Sequence, residues 1–182
     1  YNATTYDERL NITILTESLC IDCQRFFVNQ LYPIIFEKFA DFVNIEFVPY
    51  GNAHIENGEI ICQHKEEECR INKYHSCMID VIATQDKIVP LMHCMEKLLM
   101  LSFVPTYSFS PQKIKYEISI VHLFRSCFTS DRGYKLQLEA AEKTENVWPD
   151  KHRGVPWVII NGVSLKIVQN KIDNLAPYLC EW

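Results

Sequence analysis

The chain has 182 residues, of which 48% are hydrophobic and 23% charged, with only 5 Gly and 8 Pro. This composition is typical of one globular domain, since domains average about 150 residues and disordered or fibrous chains are richer in Gly, Pro or charge. Eighteen basic and 23 acidic residues give a formal charge of -5. With no basic stripe in the sequence, this charge argues against a nucleic-acid partner.

The apolar runs, the N-terminus and the cysteines indicate the compartment. The longest apolar candidate, residues 88–104, is interrupted by three polar side chains, and no run reaches the roughly 18 residues of a membrane span. We therefore expect a soluble chain without a membrane span. It begins at Tyr1 without Met or an apolar leader, which predicts a mature protein whose targeting segment is absent. Eight Cys and sequons at Asn2 and Asn11 predict a glycoprotein of an oxidising compartment over a cytosolic protein.

The first 50 residues alternate between strand and helix patterns. Polar and apolar residues alternate over residues 10–16, which predicts a strand. Helical spacing of apolar side chains then predicts a helix over about 20–40, in which Pro33 introduces a bend and not a break. A second alternating segment predicts a strand over residues 43–49.

The middle of the chain interrupts this pattern. Residues 51 to about 149 are polar, cysteine-containing and helix-like, which predicts a large, mainly helical insertion. Within it, residues 79–101 and 114–128 have apolar side chains at helical spacings, and residues 134–144 are rich in helix formers.

Strand patterns return near the C-terminus. Residues 157–160 predict a strand, the Asn161-Gly162 pair predicts a tight hairpin, and residues 163–167 predict the returning strand. A last helix follows over about 168–179, and Pro177 predicts that it is short or distorted.

A Cys-x-x-Cys motif falls between the first strand and the helix that follows it. The free N–H groups and the positive dipole end of a helix N-terminus stabilise a thiolate, so we predict that Cys20 is the nucleophile. Cys23, one turn along and more buried, would then attack the mixed disulfide and release the reduced substrate. The alternatives are a structural disulfide or half of a zinc site. Zinc requires a second ligand pair at short spacing, and the other cysteines, with His64 and His75, do not supply one, so no metal is predicted.

This order of elements predicts an α/β protein with a thioredoxin-like fold that contains a large, mainly helical, disulfide-bonded insertion. We expect a single domain over residues 1–182, with the core at about 8–50 and 150–182 and the insertion at about 51–149. In such a fold a cis proline faces the two cysteines.

Pro156 is the candidate for that cis proline, because it directly precedes the third strand. Val155, Pro156 and Trp157 are therefore predicted to bind substrate along a free backbone edge. An ordinary trans proline and a core tryptophan are the alternatives.

The segment after the second strand resembles a known family. Residues 62–77 contain Cys62-Gln63-His64, Glu68-Cys69, Asn72 and Cys77, in the pattern Cys-Gln-His-Gly-x2-Glu-Cys-x2-Asn-x4-Cys. This pattern is similar to that of the gamma-interferon-inducible lysosomal thiol reductases and their invertebrate relatives, except that Lys65 replaces the glycine. The resemblance extends to further segments, namely Val48-Pro49-Tyr50-Gly51-Asn52-Ala53, Cys94-Met95-Glu96, Asp131-Arg132-Gly133 and Val155-Pro156-Trp157.

The resemblance implies a cofactor-free reductase that opens protein disulfides in acidic endosomes or lysosomes, with Cys20 and Cys23 in the active-site motif. Its partners would be disulfide-bonded protein substrates and a small-thiol reductant. At pH about 5, a thiol of pKa about 8.5 is roughly 0.03% thiolate, so the nucleophile needs a lowered pKa. Asp22 would raise that pKa unless it faces solvent. Because Asp22 and Lys65 are local departures, a secreted binding protein with weak or lost reductase activity is the alternative.

The remaining six cysteines can form three disulfides, and the sequence leaves fifteen pairings open. They are Cys62, Cys69, Cys77, Cys94, Cys127 and Cys180. We expect the segment 62–77 to have mainly a structural role, with Gln63 and His64 contacting substrate or modulating the dithiol as the alternative. The replacement of glycine by Lys65 matters only where the backbone needs a positive φ.

Overall fold

The computed structural model describes residues 9–102 and 118–180. Asn2 and the start of the helix predicted over 114–128 lie outside these ranges. The strands of the described part are β1 (Leu10–Thr16), β2 (Val43–Pro49), β3 (His54–Glu56), β4 (Glu59–Ile61) and β5 (Trp157–Ile160). The α-helices there are α1 (Ile21–Phe26), α2 (Glu37–Phe39), α3 (Lys65–Val81), α4 (Gln85–Met100), α5 (Ile118–Thr129), α6 (Asp131–Glu145), α7 (Lys166–Gln169) and α8 (Leu175–Leu179). None of these helices is both long and apolar enough to cross a membrane.

The main sheet places β1 between its two neighbours, in the order β2-β1-β5. β1 and β2 are parallel, whereas β1 and β5 are antiparallel, with Leu15 opposite Trp157. The carboxyl end of β1 therefore meets the start of β5 at one edge of the sheet. This geometry brings together the Cys-x-x-Cys segment, which follows β1, and Pro156, which precedes β5.

The helix predicted over residues 20–40 forms without a break, although its hydrogen bonding changes along its length. α1 continues as a π-helix over Phe27–Phe36, which leads into α2. Pro33 lies inside the π-helical stretch, where the wider i to i+5 bonding accommodates a residue that has no N–H to donate. Phe27, Leu31 and Ile35 form the buried face of this stretch.

Both faces of the sheet are covered. On one face, Ile12 and Ile14 of β1 pack in a core that includes Leu31 and Ile35 of the π-helix. On the other face, Leu15 packs in a second core that includes residues of α6. The alternation of side chains along β1 explains why successive residues serve different cores.

Helix formation over residues 79–101 was predicted as one segment, but the structure has two helices there. α3 ends at Val81 and α4 begins at Gln85. The side chain of Gln85 accepts a hydrogen bond from the Ile45 N–H at 2.6 Å and donates to the carbonyls of Ala40 and Val43. These bonds fix the start of α4 against β2, so the chain turns between the two helices.

The strand predicted over residues 163–167 does not form. Val163 makes a single bridge to Ile160, and α7 begins at Lys166. The side-chain amide of Gln169 instead bonds both the N–H and the C=O of Val158, at 2.8 and 2.7 Å. A side chain thus occupies the edge of β5 where a neighbouring strand would pair. The last helix is distorted as predicted, since α7, a short 3-10 turn (Ile172–Asn174) and α8 share its length.

Two of the three predicted disulfides are present. Cys62 is bonded to Cys69, and Cys77 is bonded to Cys127. The prediction that Cys94 and Cys180 form structural disulfides is corrected, because both are free thiols. Cys94 lies in α4 and Cys180 follows α8, and each is exposed to solvent.

Candidate active site

The two cysteines of the motif lie at the first turn of α1, in different environments. Cys20 is the N-cap residue, and its Sγ accepts a hydrogen bond from the Cys23 N–H at 3.2 Å. Cys20 is partly exposed, whereas Cys23 is fully buried. The free N–H groups of the first turn therefore point at the sulfur that solvent can reach.

These environments move the two thiol pKa values apart. Hydrogen bonding from the Cys23 side chain, helped by the Cys23 backbone N–H, lowers the pKa of Cys20, against the opposing effects of partial burial and of the Glu17 carboxylate. Burial, followed by the interaction with Cys20, raises the pKa of Cys23 well above its usual value. The arrangement makes Cys20 the better thiolate and keeps Cys23 protonated.

Asp22 does not oppose this arrangement with its side chain. Its carboxylate is 71% exposed and pairs with Arg25 at 3.4 Å. Its backbone contributes a hydrogen bond that lowers the pKa of Cys20. The departure at this position therefore leaves the thiolate stabilised.

The Val155-Pro156 peptide bond is cis, and it faces the dithiol. The Cys20 thiol donates to the Val155 carbonyl at 3.4 Å. Trp157 is buried, and its indole Nε1–H donates to Ser164 Oγ at 2.9 Å. The side chain of Trp157 is therefore that of a core tryptophan, which was the alternative, and only its backbone remains a candidate for substrate contact. A second cis bond, Trp148-Pro149, was not predicted.

A groove of about 500 Å³ lies beside the dithiol, between the α1 face and the cis-proline loop. Asp22, Arg25 and Phe26 line one wall, and Val155 and Pro156 line the opposite wall. The groove is joined to the dithiol through Val155, whose carbonyl accepts from the Cys20 thiol.

His64 and Glu68 of the segment 62–77 contact the loop that joins β1 to Cys20, at Glu17 and Ser18. His64 Nδ1 lies 2.5 Å from Glu68 Oε2 and 3.7 Å from Glu17 Oε1. The hydrogen bond to Glu68 raises the pKa of His64, and the charges of Glu17 and Cys20 raise it further. Burial raises the pKa of Glu17 against the hydrogen bonds from Asn52. The imidazolium form of His64 is thereby favoured close to the Cys20 thiolate.

The other polar residues of the segment 62–77 form hydrogen bonds to the same loop and to Asn52 beside it. Asn72 Oδ1 accepts from the Ser18 N–H at 2.9 Å, and the Ser18 hydroxyl donates to the Glu68 carbonyl. Gln63 Oε1 accepts from Asn52 Nδ2 at 2.7 Å, so Gln63 also joins this network. The segment 62–77 therefore fixes the backbone just before Cys20. It also interacts with Cys20 electrostatically, through the charge of His64.

Gly51 allows Glu17 to come close. Gly51 has a φ of +65°, and a Cβ at this position would overlap the Glu17 carboxylate. The next residue, Asn52, donates its N–H to Glu17 Oε2 at 2.8 Å. The Tyr50-Gly51-Asn52 segment is thus part of the site. The sequence did not single out Glu17, because its carboxylate meets Gly51, Asn52 and His64, which are all distant along the chain.

One group of side chains has the composition of a metal site. Ligand atoms of Glu17, His64 and Glu68 lie within 4.8 Å of one another. Each of these atoms is already engaged by the other members of the group or by Asn52. The group satisfies its own hydrogen bonds as a carboxylate–imidazole network.

A dithiol at the first turn of a helix after the central strand, facing a cis proline, defines a thioredoxin-fold dithiol protein. Solved structures show this fold. The oxidoreductase DsbA of Xylella fastidiosa superposes with a TM-score of 0.58 at 14% identity, covering 96% of this chain and 86% of that one. Reduced DsbA1 of Neisseria meningitidis gives a TM-score of 0.53 at 13% identity, covering 96% and 84%. The prediction of a thioredoxin-like fold with a helical insertion is confirmed.

The chain belongs to the gamma-interferon-inducible lysosomal thiol reductase family, whose model matches residues 11–107. A reductase of that name from Carassius auratus is 33% identical over 91% of this chain and 64% of its own length. The gamma-interferon-responsive lysosomal thiol protein of Arabidopsis thaliana is 30% identical over 94% of this chain and 70% of its own. The resemblance seen in the sequence is confirmed, and the chain spans about two thirds of the length of these relatives.

Proposed function

We propose that the protein is a disulfide reductase acting on protein substrates in an acidic endosomal or lysosomal compartment, or along the secretory route. Family membership supports this proposal. The observation that carries it is the split between the two thiols, with the pKa of Cys20 lowered at a helix N-terminus and Cys23 buried and protonated beneath it. The lowered pKa increases the thiolate fraction at acidic pH.

The reaction follows from this split. The Cys20 thiolate attacks one sulfur of the substrate disulfide, and the other sulfur leaves as a thiolate that takes up a proton. Cys23 then loses its proton and attacks Cys20, which breaks the mixed disulfide and releases the second substrate thiol. The substrate gains two electrons and the protein holds a Cys20–Cys23 disulfide. A small-thiol reductant restores the dithiol by two successive exchanges of the same kind.

Substrate binding is assigned to the groove beside the dithiol. The Val155 carbonyl accepts a hydrogen bond from the Cys20 thiol in the free protein. In the complex it would accept one from a backbone N–H of the bound peptide instead. We also propose that Asn11 is glycosylated. It is exposed at the start of β1, and Cys20 follows the other end of that strand, so a glycan there would leave the groove open.

The test is reduction of a disulfide-bonded protein at pH about 5 and about 7 by the purified protein and three variants. Cys20→Ser is expected to abolish activity, Cys23→Ser to trap the substrate as a mixed disulfide, and Cys94→Ser, a free exposed thiol, to have no effect. Equal activity of all four proteins would refute the assignment of the site. Inactivity of a folded, fully reduced protein at both pH values would refute the reductase and favour the secreted binding protein.

A further inference from the structure

One wall of the groove beside the dithiol is a single face of α1 and the π-helix that continues it. Its residues recur at helical spacing, namely Asp22, Arg25, Phe26, Asn29 and Gln30. From the first to the last of them the helix advances at most roughly 12 Å, which corresponds to about four residues of extended chain. The groove therefore has room for the residues that directly flank a reacting cysteine.

Backbone pairing with a substrate is limited on the opposite side of the groove. Gln169 Oε1 accepts from the Val158 N–H at 2.8 Å, and Gln169 Nε2 donates to the carbonyls of Val158 and Leu165 at 2.7 and 3.0 Å. The outer edge of β5 is therefore occupied at Val158, and Pro156 has no N–H to donate. Val155 remains as the backbone contact proposed for the peptide. Selectivity along the rest of the groove must then come from side chains.

Three charged side chains line the groove, and two of them neutralise each other. Asp22 and Arg25 form an ion pair at 3.4 Å. The third is Asp173, an exposed residue of the 3-10 turn. In the described part of the chain no cation pairs with Asp173, and its neighbour Lys171 is not among the residues that line the groove. The groove thus carries one unbalanced negative charge.

The reacting group has the same sign as this charge. Cys20 reacts as a thiolate, and its sulfur contacts the Val155 carbonyl at the groove. His64, whose cationic form is favoured nearby, is already bonded to Glu68. A basic substrate segment is therefore attracted to the groove, whereas an acidic segment meets charge of its own sign at Asp173 and at the thiolate.

We propose that the reductase selects disulfides in which lysine or arginine lies within about four residues of the attacked cysteine, and that Asp173 binds this basic side chain. The inference rests on the proposed function and adds a substrate class to it. Because exposed ion pairs are weak and are screened by salt, the expected preference is about fivefold.

The experiment uses pairs of peptides that differ in one residue, lysine or glutamate, at each of the four positions on either side of a cysteine. Every peptide is linked through that cysteine to the same second peptide, and kcat/KM for its reduction is measured at pH about 5 and low ionic strength with a small-thiol reductant. Lysine and glutamate also change the intrinsic reactivity of the disulfide. The lysine-to-glutamate ratio of the unchanged chain is therefore compared with the ratios of variants on the same peptides.

Asp173→Asn is compared with Asp41→Asn, the same change at an exposed residue before β2, at the opposite end of the sheet from the dithiol. We expect Asp173→Asn to lower the lysine-to-glutamate ratio about fivefold at one or more positions and Asp41→Asn to leave it unchanged. Ionic strength of about 0.5 M should remove most of the difference between Asp173→Asn and the unchanged chain. A ratio that is the same in Asp173→Asn and the unchanged chain, or that falls equally in both variants, overturns the proposal. Inactivity on every peptide with Cys20 and Cys23 intact would instead refute the proposed function.

A binding measurement tests the role of Asp173 without turnover. The same peptides, unlinked and with serine in place of cysteine, are added to the unchanged chain, and the carboxyl carbons of aspartate are followed by NMR. We expect the Asp173 signal to move with the lysine peptides more than with the glutamate peptides and the Asp41 signal to stay in place. An Asp173 signal that does not distinguish the two kinds of peptide overturns the proposal.

Discussion

The two ends of α3 each carry a histidine next to a glutamate, in opposite environments. At the N-terminal end, His64 is bonded to Glu68 and is 40% exposed. Toward the C-terminal end, His75 and Glu96 are fully buried, and neither side chain has a hydrogen-bond partner among the described residues. The Glu68 bond raises the pKa of His64, whereas burial lowers that of His75 to about 4. The histidine therefore takes up a proton more readily at the N-terminal end of α3 than toward its C-terminal end.

Each end of α3 also carries a disulfide. Removing the two disulfides one at a time is expected to give the largest difference between the ends, measured as the free energy of unfolding. Cys77–Cys127 joins positions 50 apart, and Cys62–Cys69 joins positions 7 apart. Each disulfide stabilises the fold by reducing the entropy of the unfolded chain. Opening it is therefore expected to lower the free energy of unfolding by about 4 kcal/mol for Cys77–Cys127 and by about 2 kcal/mol for Cys62–Cys69. Urea unfolding of the two double Cys→Ala variants measures these costs.

The free thiol Cys94 supplies the control for these variants. Cys94→Ala at an exposed position of α4 is expected to change the free energy of unfolding by less than about 0.5 kcal/mol. A larger loss from opening Cys62–Cys69 than from opening Cys77–Cys127 would contradict the ranking of the two ends.

The second comparison is the response of stability to pH. His75 has a folded pKa of about 4, below its unfolded value of 6.5, so the unfolded chain binds the proton first and stability falls as the pH drops below about 6.5. At pH about 5 this loss is about 2 kcal/mol. His75→Leu should remove that part of the acid sensitivity, measured as the difference between unfolding free energies at pH about 8 and about 5.

His64 has the opposite sign. Its folded pKa is raised, so its contribution is fully present below about pH 6.5 and is lost as the pH rises through the folded value. His64→Gln should therefore cost more stability at pH about 5 than at pH about 9. The same urea series applied to His64→Gln, His75→Leu and the unchanged chain tests both signs. Parallel pH profiles for the three proteins would refute the comparison.

The same contrast shows which parts of the structure the sequence could predict. β1, β2, the helix after Cys20 and the cysteine motif follow from local periodicity and spacing, which survive in the fold. α3 was missed as a helix because its inward side chains include Glu68, Asn72 and His75, so the apolar period that marks a helix is absent. Polar burial of this kind becomes visible only when α3 packs against the dithiol loop and α4.

Two errors have a different origin, namely contacts between distant segments. The Asn161-Gly162 pair does form a turn, but the Gln169 side chain takes the backbone groups of Val158 that a returning strand would use. Glu17 carried no local motif, although Gly51 and Asn52 enclose it. Neither arrangement has a period or a spacing in the sequence.

The smallest expected effect concerns the N-terminal end of α3, where Lys65 replaces the glycine of the family pattern. Lys65 has a φ of 70°, in the left-handed region that disfavours side chains. Lys65→Gly should raise the free energy of unfolding by at most about 1 kcal/mol, since relief of backbone strain is partly offset by the greater entropy of the unfolded chain. Urea unfolding at neutral pH measures the gain.

Lys65→Ala is the matched control, because it removes the same amine while keeping a Cβ at this φ. It should give no gain, so an equal effect of both changes would assign the effect to the lysine side chain and not to the backbone. Lys65→Gly should also leave the rate of the Cys20 exchange step unchanged, because the strain lies in the first turn of α3 and the Ser18 contacts are made by Glu68 and Asn72. A faster Cys20 step in Lys65→Gly would mean that this position limits the reductase, as the binding-protein alternative requires.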